Sequence, residues 1–172
     1  MRSPAASTLQ DLPSLVSEFL PLNRRRLHGD PPLGVRELER WMELRERLER
    51  MFGARPPLQA SERSRRRSLR VPTALKARYQ AAGRAASSPV ADLSEGGLFL
   101  ATEAPLAPGT PLRLELGDAS GAPPVCVASR VVWARGVGDI GGPAGMGLCF
   151  VDLGDDTAAA VATLVEGALS RL

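Results

Sequence analysis

The chain is poor in the residues that most often carry chemistry: one histidine, one lysine, two cysteines, four Phe, two Trp and one Tyr among 172 residues. The single histidine, His28, sits in a Gly/Pro-rich breaker region, where a place at the C-terminal end of a helix suits it better than acid-base catalysis. One histidine and two cysteines on separate strand-like runs cannot assemble a zinc site. Ser94 has no histidine nearby to activate it, and no Gly-rich run leads through Lys-Ser or Lys-Thr into a helix, so nucleophilic catalysis and nucleotide hydrolysis lack their parts. The expectation is a protein with no catalytic residues, no metal and no cofactor. No apolar run approaches the roughly 18 residues of a membrane span, and Met1 to Gln10 lacks a basic-then-apolar leader, which predicts a cytoplasmic protein. Two cysteines are too few for a secreted disulfide framework, and the apolar runs around Cys126 and Cys149 predict buried thiols.

What is present is ordinary globular material, 44% apolar and 24% charged, punctuated by 17 Gly and 15 Pro that predict short elements and many turns. Charge is distributed unevenly. Residues 1–70 carry fifteen arginines against nine acids, whereas residues 71–172 carry seven basic residues against ten acids. Within the first part, Arg63-Ser64-Arg65-Arg66-Arg67-Ser68-Leu69-Arg70 is a cationic run between a helical and a strand pattern.

Periodicity divides the chain. Leu12, Leu15, Val16, Phe19 and Leu20 recur at helical spacing, Pro21 is expected to interrupt that helix, and Gly29-Asp30-Pro31-Pro32 breaks the chain before the next one. From Val35 to Phe52, Leu38, Trp41, Leu44, Leu48 and Met51 form an apolar stripe, with Glu43/Arg47 and Glu46/Arg50 as supporting pairs. Two helices of this size cannot bury their stripes fully against each other, which leaves packing on the rest of the chain or self-association as a homo-oligomer open. After a connector the period becomes two. Val71 to Tyr79, Leu112 to Leu116, and Val125, Val127, Val131 and Trp133 with Ser129 read as half-buried strands, and Gly147 to Val151 as a short apolar one. Asp155 to Leu172 closes as an amphipathic helix. The predicted organisation is a helical segment 1–53, a linker 54–64 and a mainly β domain 65–172, a small antiparallel barrel or sandwich.

Two clusters stand at the edges of the strand region. Arg65, Arg66 and Arg70 precede its first strand; Asp92, Ser94 and Gly97 follow its second. Arginines spaced four apart in an extended segment can clamp a purine, one guanidinium stacking on a base while another bonds a guanine O6/N7 edge. Asp92 and Ser94 offer acceptor and donor groups, and Gly97 permits close backbone approach. The segment Asp92 to Gly97 also suits an Asx-type hairpin turn.

Arg66-x-x-x-Arg70-Val71-Pro72, Asp92-x-Ser94-x-x-Gly97-Leu98-Phe99-Leu100 and Gly145-Met146-Gly147-Leu148-Cys149-Phe150, in that order, resemble the PilZ domain, the bacterial receptor module for cyclic di-GMP. The resemblance covers about residues 63–172. It implies a six-stranded antiparallel β-barrel with a C-terminal helix, with Arg66 and Arg70 on guanines and phosphates and Asp92, Ser94 and Gly97 forming the barrel surface beneath a base. It further implies that Arg65, immediately before the motif, accompanies binding of an intercalated cyclic di-GMP dimer. On this reading the chain is a non-catalytic adaptor that relays the second messenger to a protein partner. The alternative is a PilZ-like scaffold that acts through protein contacts without binding the nucleotide. Interleaved glutamates and sparse aromatics argue against a nucleic-acid polymer as partner.

Overall fold

The structure, a computed structural model, describes residues 12–29, 31–52, 68–81, 83–117 and 121–172. The chain divides into two compact units, residues 1–54 with 169–172, and residues 55–168.

The first unit is built on a helical hairpin of α1 (Leu12–His28) and α2 (Val35–Met51). Leu15, Val16 and Phe19 of α1 are buried, as are Trp41, Leu44 and Leu48 of α2. The Trp41 ring stacks on Phe19 with centroids 6.1 Å apart, its Nε1–H donates to Asn23 Oδ1 at 2.9 Å, and the guanidinium carbons of Arg26 and Arg45 lie 4.5 and 5.3 Å from its centroid. Such cation–π contacts gain strength when desolvated, and Arg45 is buried. Two expectations are corrected here. Pro21 does not end α1: the helix runs through it to His28, because one lost backbone hydrogen bond is outweighed by burial of Phe19 before it and Asn23 after it. Leu38 is exposed with Val35 and Met42, so the buried stripe of α2 starts only at Trp41.

The turn between the helices is fixed by close approach and by charge. A Cβ on Gly29 would stand 2.4 Å from the Arg25 carbonyl oxygen, which accepts from the Gly29 N–H at 2.8 Å. At the start of α2, Gly34 N–H donates to Glu37 Oε2 at 3.0 Å, and Arg25 pairs with the same carboxylate. Arg40 forks onto Glu18 at 2.7 and 2.8 Å, tying α2 to α1.

The second unit is a closed antiparallel barrel. Six strands, β2 (Lys76–Ala81), β3 (Arg84–Ser94), β4 (Gly97–Ala101), β5 (Pro111–Gly117), β6 (Val125–Arg135) and β7 (Gly145–Phe150), pair in the circular order β3-β2-β5-β6-β7-β4, and β4 closes back on β3. A seventh, β1 (Val71–Pro72), lies on the edge of β3 that β2 occupies further along. The single strand expected from Val71 to Tyr79 is thus two. The β1–β3 and β2–β3 registers differ by one residue across Thr73–Leu75, where Thr73 Oγ1 donates to Val90 O and accepts from Leu75 N–H, both at 3.0 Å. The β7 strand begins at Gly145, two residues earlier than its apolar run predicts.

Alternation fills the barrel. Leu112, Leu114 and Leu116 are buried while Arg113 and Glu115 are exposed, and Val71, Leu93, Leu98, Leu148 and Val131 form one inward cross-strand row through the pairing of five strands. The C-terminal helix α3 (Asp155–Leu169) buries Val161, Ala162, Val165 and Ala168 on one face. Among the described residues no helix is long and apolar enough to cross a membrane.

Candidate ligand-binding face

Because paired residues on neighbouring strands project to the same side, the register that places leucines inside also fixes what stands outside. One residue along from the inward row, Pro72, Asp92, Phe99, Gly147 and Trp133 are cross-strand partners in turn. Two residues further along β3, Ser94, Gly97, Cys149 and Arg130 form a parallel row on the same outer face. The three motif residues on the barrel therefore occupy two adjacent rows of a single surface.

Arg70 reaches this surface from the segment leading into β1. Val71 points inward opposite Leu93, so Arg70 turns outward, and its Nη1 lies 3.6 Å from Asp92 Oδ1. That is an ion pair longer than a hydrogen bond, with the arginine side chain a third exposed and the aspartate less so. The guanidinium is oriented by charge and retains donors for another partner. Arg65 and Arg66 lie outside the described residues.

Ser94 and Gly97 flank the two-residue turn Glu95-Gly96 and pair with each other. The buried Ser94 hydroxyl donates to the Gly97 carbonyl at 3.0 Å, so in this arrangement it locks the turn. Gly97 is required by close approach: a Cβ there would stand 2.1 Å from the Leu148 carbonyl oxygen on β7. Phe150 N–H donates to Gly96 O at 3.0 Å and clamps the same turn to β7 from the other side. The hairpin-turn reading and the surface reading of Asp92 to Gly97 thus describe one object.

The outer face contains side chains that residue patterns alone did not single out. Phe99 and Trp133 flank Gly147 across three strands; the Trp133 ring lies over Gly147 and the buried Phe99 ring over Gly145, and the two rings stack with centroids 5.2 Å apart and planes 16° from parallel. Simple alternation puts Trp133 inside with Val127 and Val131. A bulge at Val132 reverses that, leaving Val131 opposite Leu148 and moving Trp133 opposite Gly147. The available signal was Gly147 itself, since a Cβ there would stand 2.2 Å from Trp133 Nε1. The buried-thiol expectation also fails by parity. Cys126 alternates outward between Val125 and buried Val127 and is exposed, and Cys149 stands half-buried on the outer face beside Gly97.

This closed barrel, with an arginine leading into its first strand and Asp92, Ser94 and Gly97 on one outer face, can be set against known proteins. The PilZ domain family profile matches residues 64–167. The chain belongs to the PilZ domain family. Its structure is similar to the PilZ domain with c-di-GMP of YcgR from Escherichia coli, with a TM-score of 0.54 and 14% identity over 62% of this chain and 93% of that one. It is also similar to YcgR from Escherichia coli in complex with c-di-GMP, at TM-score 0.51 and 16% identity over 62% of this chain and 46% of that one. MrkH, described as a c-di-GMP-dependent transcription regulatory factor, matches at TM-score 0.51 and 16% identity over 63% of this chain and 52% of that one. The chain thus spans about half the length of the two latter proteins, and at these identities the likeness establishes the PilZ fold. No curated protein matches the sequence.

Proposed function

We propose that this PilZ protein is a non-catalytic cyclic di-GMP receptor that passes the occupancy of its barrel face to a protein partner. The observation that carries the reading is the Arg70–Asp92 pair beside Ser94 and Gly97: a partly exposed guanidinium, oriented by a carboxylate, at the edge of a surface kept flat by a glycine. Membership of the PilZ family and the nucleotide named for the similar YcgR structures support the choice of ligand.

In this reading Arg66 and Arg70 take the guanine edges and phosphates, while Asp92, Ser94 and Gly97 lie beneath a base. Arg65 adds a guanine contact that favours an intercalated dimer. Residues 54–64 serve as linker between the helical segment 1–53 and the PilZ domain 65–172. Nucleotide held by the Arg63–Arg70 connector acts as a switch that changes what the helical segment presents to its partner. Trp41 and Leu48 are already buried, so the surface offered there is the exposed Val35, Leu38 and Met42 face of α2.

The test is isothermal titration of cyclic di-GMP into the purified chain, with the Arg66→Ala/Arg70→Ala double variant as control. Binding abolished in the double variant supports the receptor, and a stoichiometry near two per chain supports the dimer. Absence of binding in the unaltered chain overturns the receptor reading in favour of a scaffold acting by protein contact. Limited proteolysis tests the switch separately, since equal cleavage at Arg63 to Arg67 with and without nucleotide refutes it.

A further inference from the structure

The aromatic stack on the outer face is joined to a loop that the receptor reading leaves without a role. Arg135, the last residue of β6, lies on the same face as Trp133, opposite Gly145. Its guanidinium carbon is 5.2 Å from the Trp133 ring centroid, and its Nη1–H donates to the Pro143 carbonyl at 3.5 Å. The β6–β7 connection is shaped around that guanidinium. A Cβ on Gly142 would stand 2.8 Å from Arg135 Nη1, and both Gly141 and Gly142 have positive φ, at 110° and 133°. One side chain therefore touches the outer face at Trp133 and the loop at Gly142 and Pro143. The same loop exposes Val137 and Ile140, at 71% and 101% the most exposed large apolar side chains described in the barrel unit.

We propose that Arg135 is a ligand-responsive clasp that couples the nucleotide face to residues 136–144. The inference rests on the receptor reading and adds to it the element that signals occupancy. Trp133 stands in the Asp92 row three strand spacings away, about 14 Å along the sheet. A molecule with two guanines can place one at Arg70 and Asp92 and bring the second to Trp133. A guanine O6/N7 edge offers a guanidinium two parallel bonds, against the single bond at the outer limit of length that Arg135 makes to Pro143. The ligand thus binds one position of Arg135 more strongly than the other, which is the condition for shifting an equilibrium. Turning Arg135 to the base withdraws it from Gly142 and Pro143 and frees the loop with its two exposed apolar side chains.

The experiment is ¹⁵N NMR of the full chain titrated with cyclic di-GMP, following the Trp133 indole N–H, assigned with Trp133→Phe, and the amides of Gly141 and Gly142. In the unaltered chain all three are expected to shift together with the amides of Arg70 and Asp92. In Arg135→Ala the Arg70 and Asp92 amides still respond, the two glycines do not, and affinity falls about tenfold. Arg135→Lys, which keeps the charge and loses the fork, is expected to behave like Arg135→Ala. Shifts at Arg70 and Asp92 with Gly141, Gly142 and Trp133 unmoved overturn the clasp and leave the receptor standing. Glycines that respond in Arg135→Ala as they do in the unaltered chain overturn it equally. No shift anywhere refutes the receptor reading and the clasp with it.

Discussion

Arg70 and Asp92 face each other at 3.6 Å across the β1–β3 pairing, the arginine one residue before the first strand and the carboxylate near the end of the third. The pair makes Arg70, the last residue of the basic run, a defined part of the barrel surface. Its separation is too long for a hydrogen bond and too short for indifference, so the guanidinium is aimed without being consumed.

Loss of Arg70 should therefore be felt in binding and hardly in folding. Arg70→Ala is expected to weaken cyclic di-GMP by at least about 1 kcal/mol, one guanine contact, with the thermal midpoint of the barrel nearly unchanged because a part-exposed ion pair contributes little. Titration calorimetry and a melting curve on the same sample separate the two. A variant that binds as tightly as the unaltered chain contradicts the role assigned to Arg70.

Ser94→Ala should show the opposite balance. The hydroxyl is buried and donates within its own turn, so its removal costs stability of about 0.5–1.5 kcal/mol and affects binding less than Arg70→Ala does. Urea unfolding checks the first part and calorimetry the second. An unaltered unfolding midpoint with a large loss of affinity reverses the assignment, making Ser94 a direct ligand contact.

Much of this face was legible before the fold was known. Asp92 and Ser94 are two apart on a strand and so share a side, and Leu112, Leu114 and Leu116 announce the inner wall by alternation alone. What alternation cannot carry is a bulge. The extra residue at Val132 moves Trp133 from the inner to the outer face, and another at Ala91 sets Asp92 opposite Phe99. Cys126 and Cys149 were misjudged because an apolar neighbourhood was read as burial where strand parity decides. Pro21 was misread for a different reason: the tertiary contacts that outweigh its missing N–H, Phe19 with Trp41 and Asn23 with Trp41, join helices that local periodicity treats separately. Arg65 and Arg66 fall outside the described residues, and their roles rest on family resemblance.

The two glycines of the outer face should respond differently to a methyl group. At Gly97 the new Cβ meets the Leu148 backbone oxygen at 2.1 Å, so the β4–β7 pairing itself must open, at about 3 kcal/mol or more. At Gly147 it meets the Trp133 indole at 2.2 Å, a side chain that can swing away at smaller cost. Gly147→Ala is expected to fold, with altered Trp133 fluorescence, and Gly97→Ala to lose much of its stability. Equal destabilisation in urea contradicts the distinction between backbone and side-chain obstruction.

The helical hairpin should weaken in acid for a reason separate from the barrel. The Glu18 carboxylate is held below its ordinary value of 4.5 chiefly by the hydrogen bonds from Arg40, and Glu37 chiefly by the Gly34 backbone N–H and then by Arg25. In both cases the folded state favours the ionised form, so the unfolded chain takes up protons first as pH falls. The contribution is therefore complete above the ordinary value, declines as pH drops below about 4.5, and vanishes once the folded carboxylates are themselves protonated. Arg40, whose own proton is bound still more tightly by Glu18 and Glu43, stays charged throughout. Both carboxylates remain in contact with water, which keeps the effect modest and sensitive to salt. Trp41, buried between the helices, is the reporter, with Trp133→Phe removing the second indole. Between pH 5 and 3 its unfolding midpoint should fall more steeply in Trp133→Phe alone than in the same chain carrying Glu18→Gln and Glu37→Gln, and parallel curves would show that the two ion pairs do not hold the hairpin.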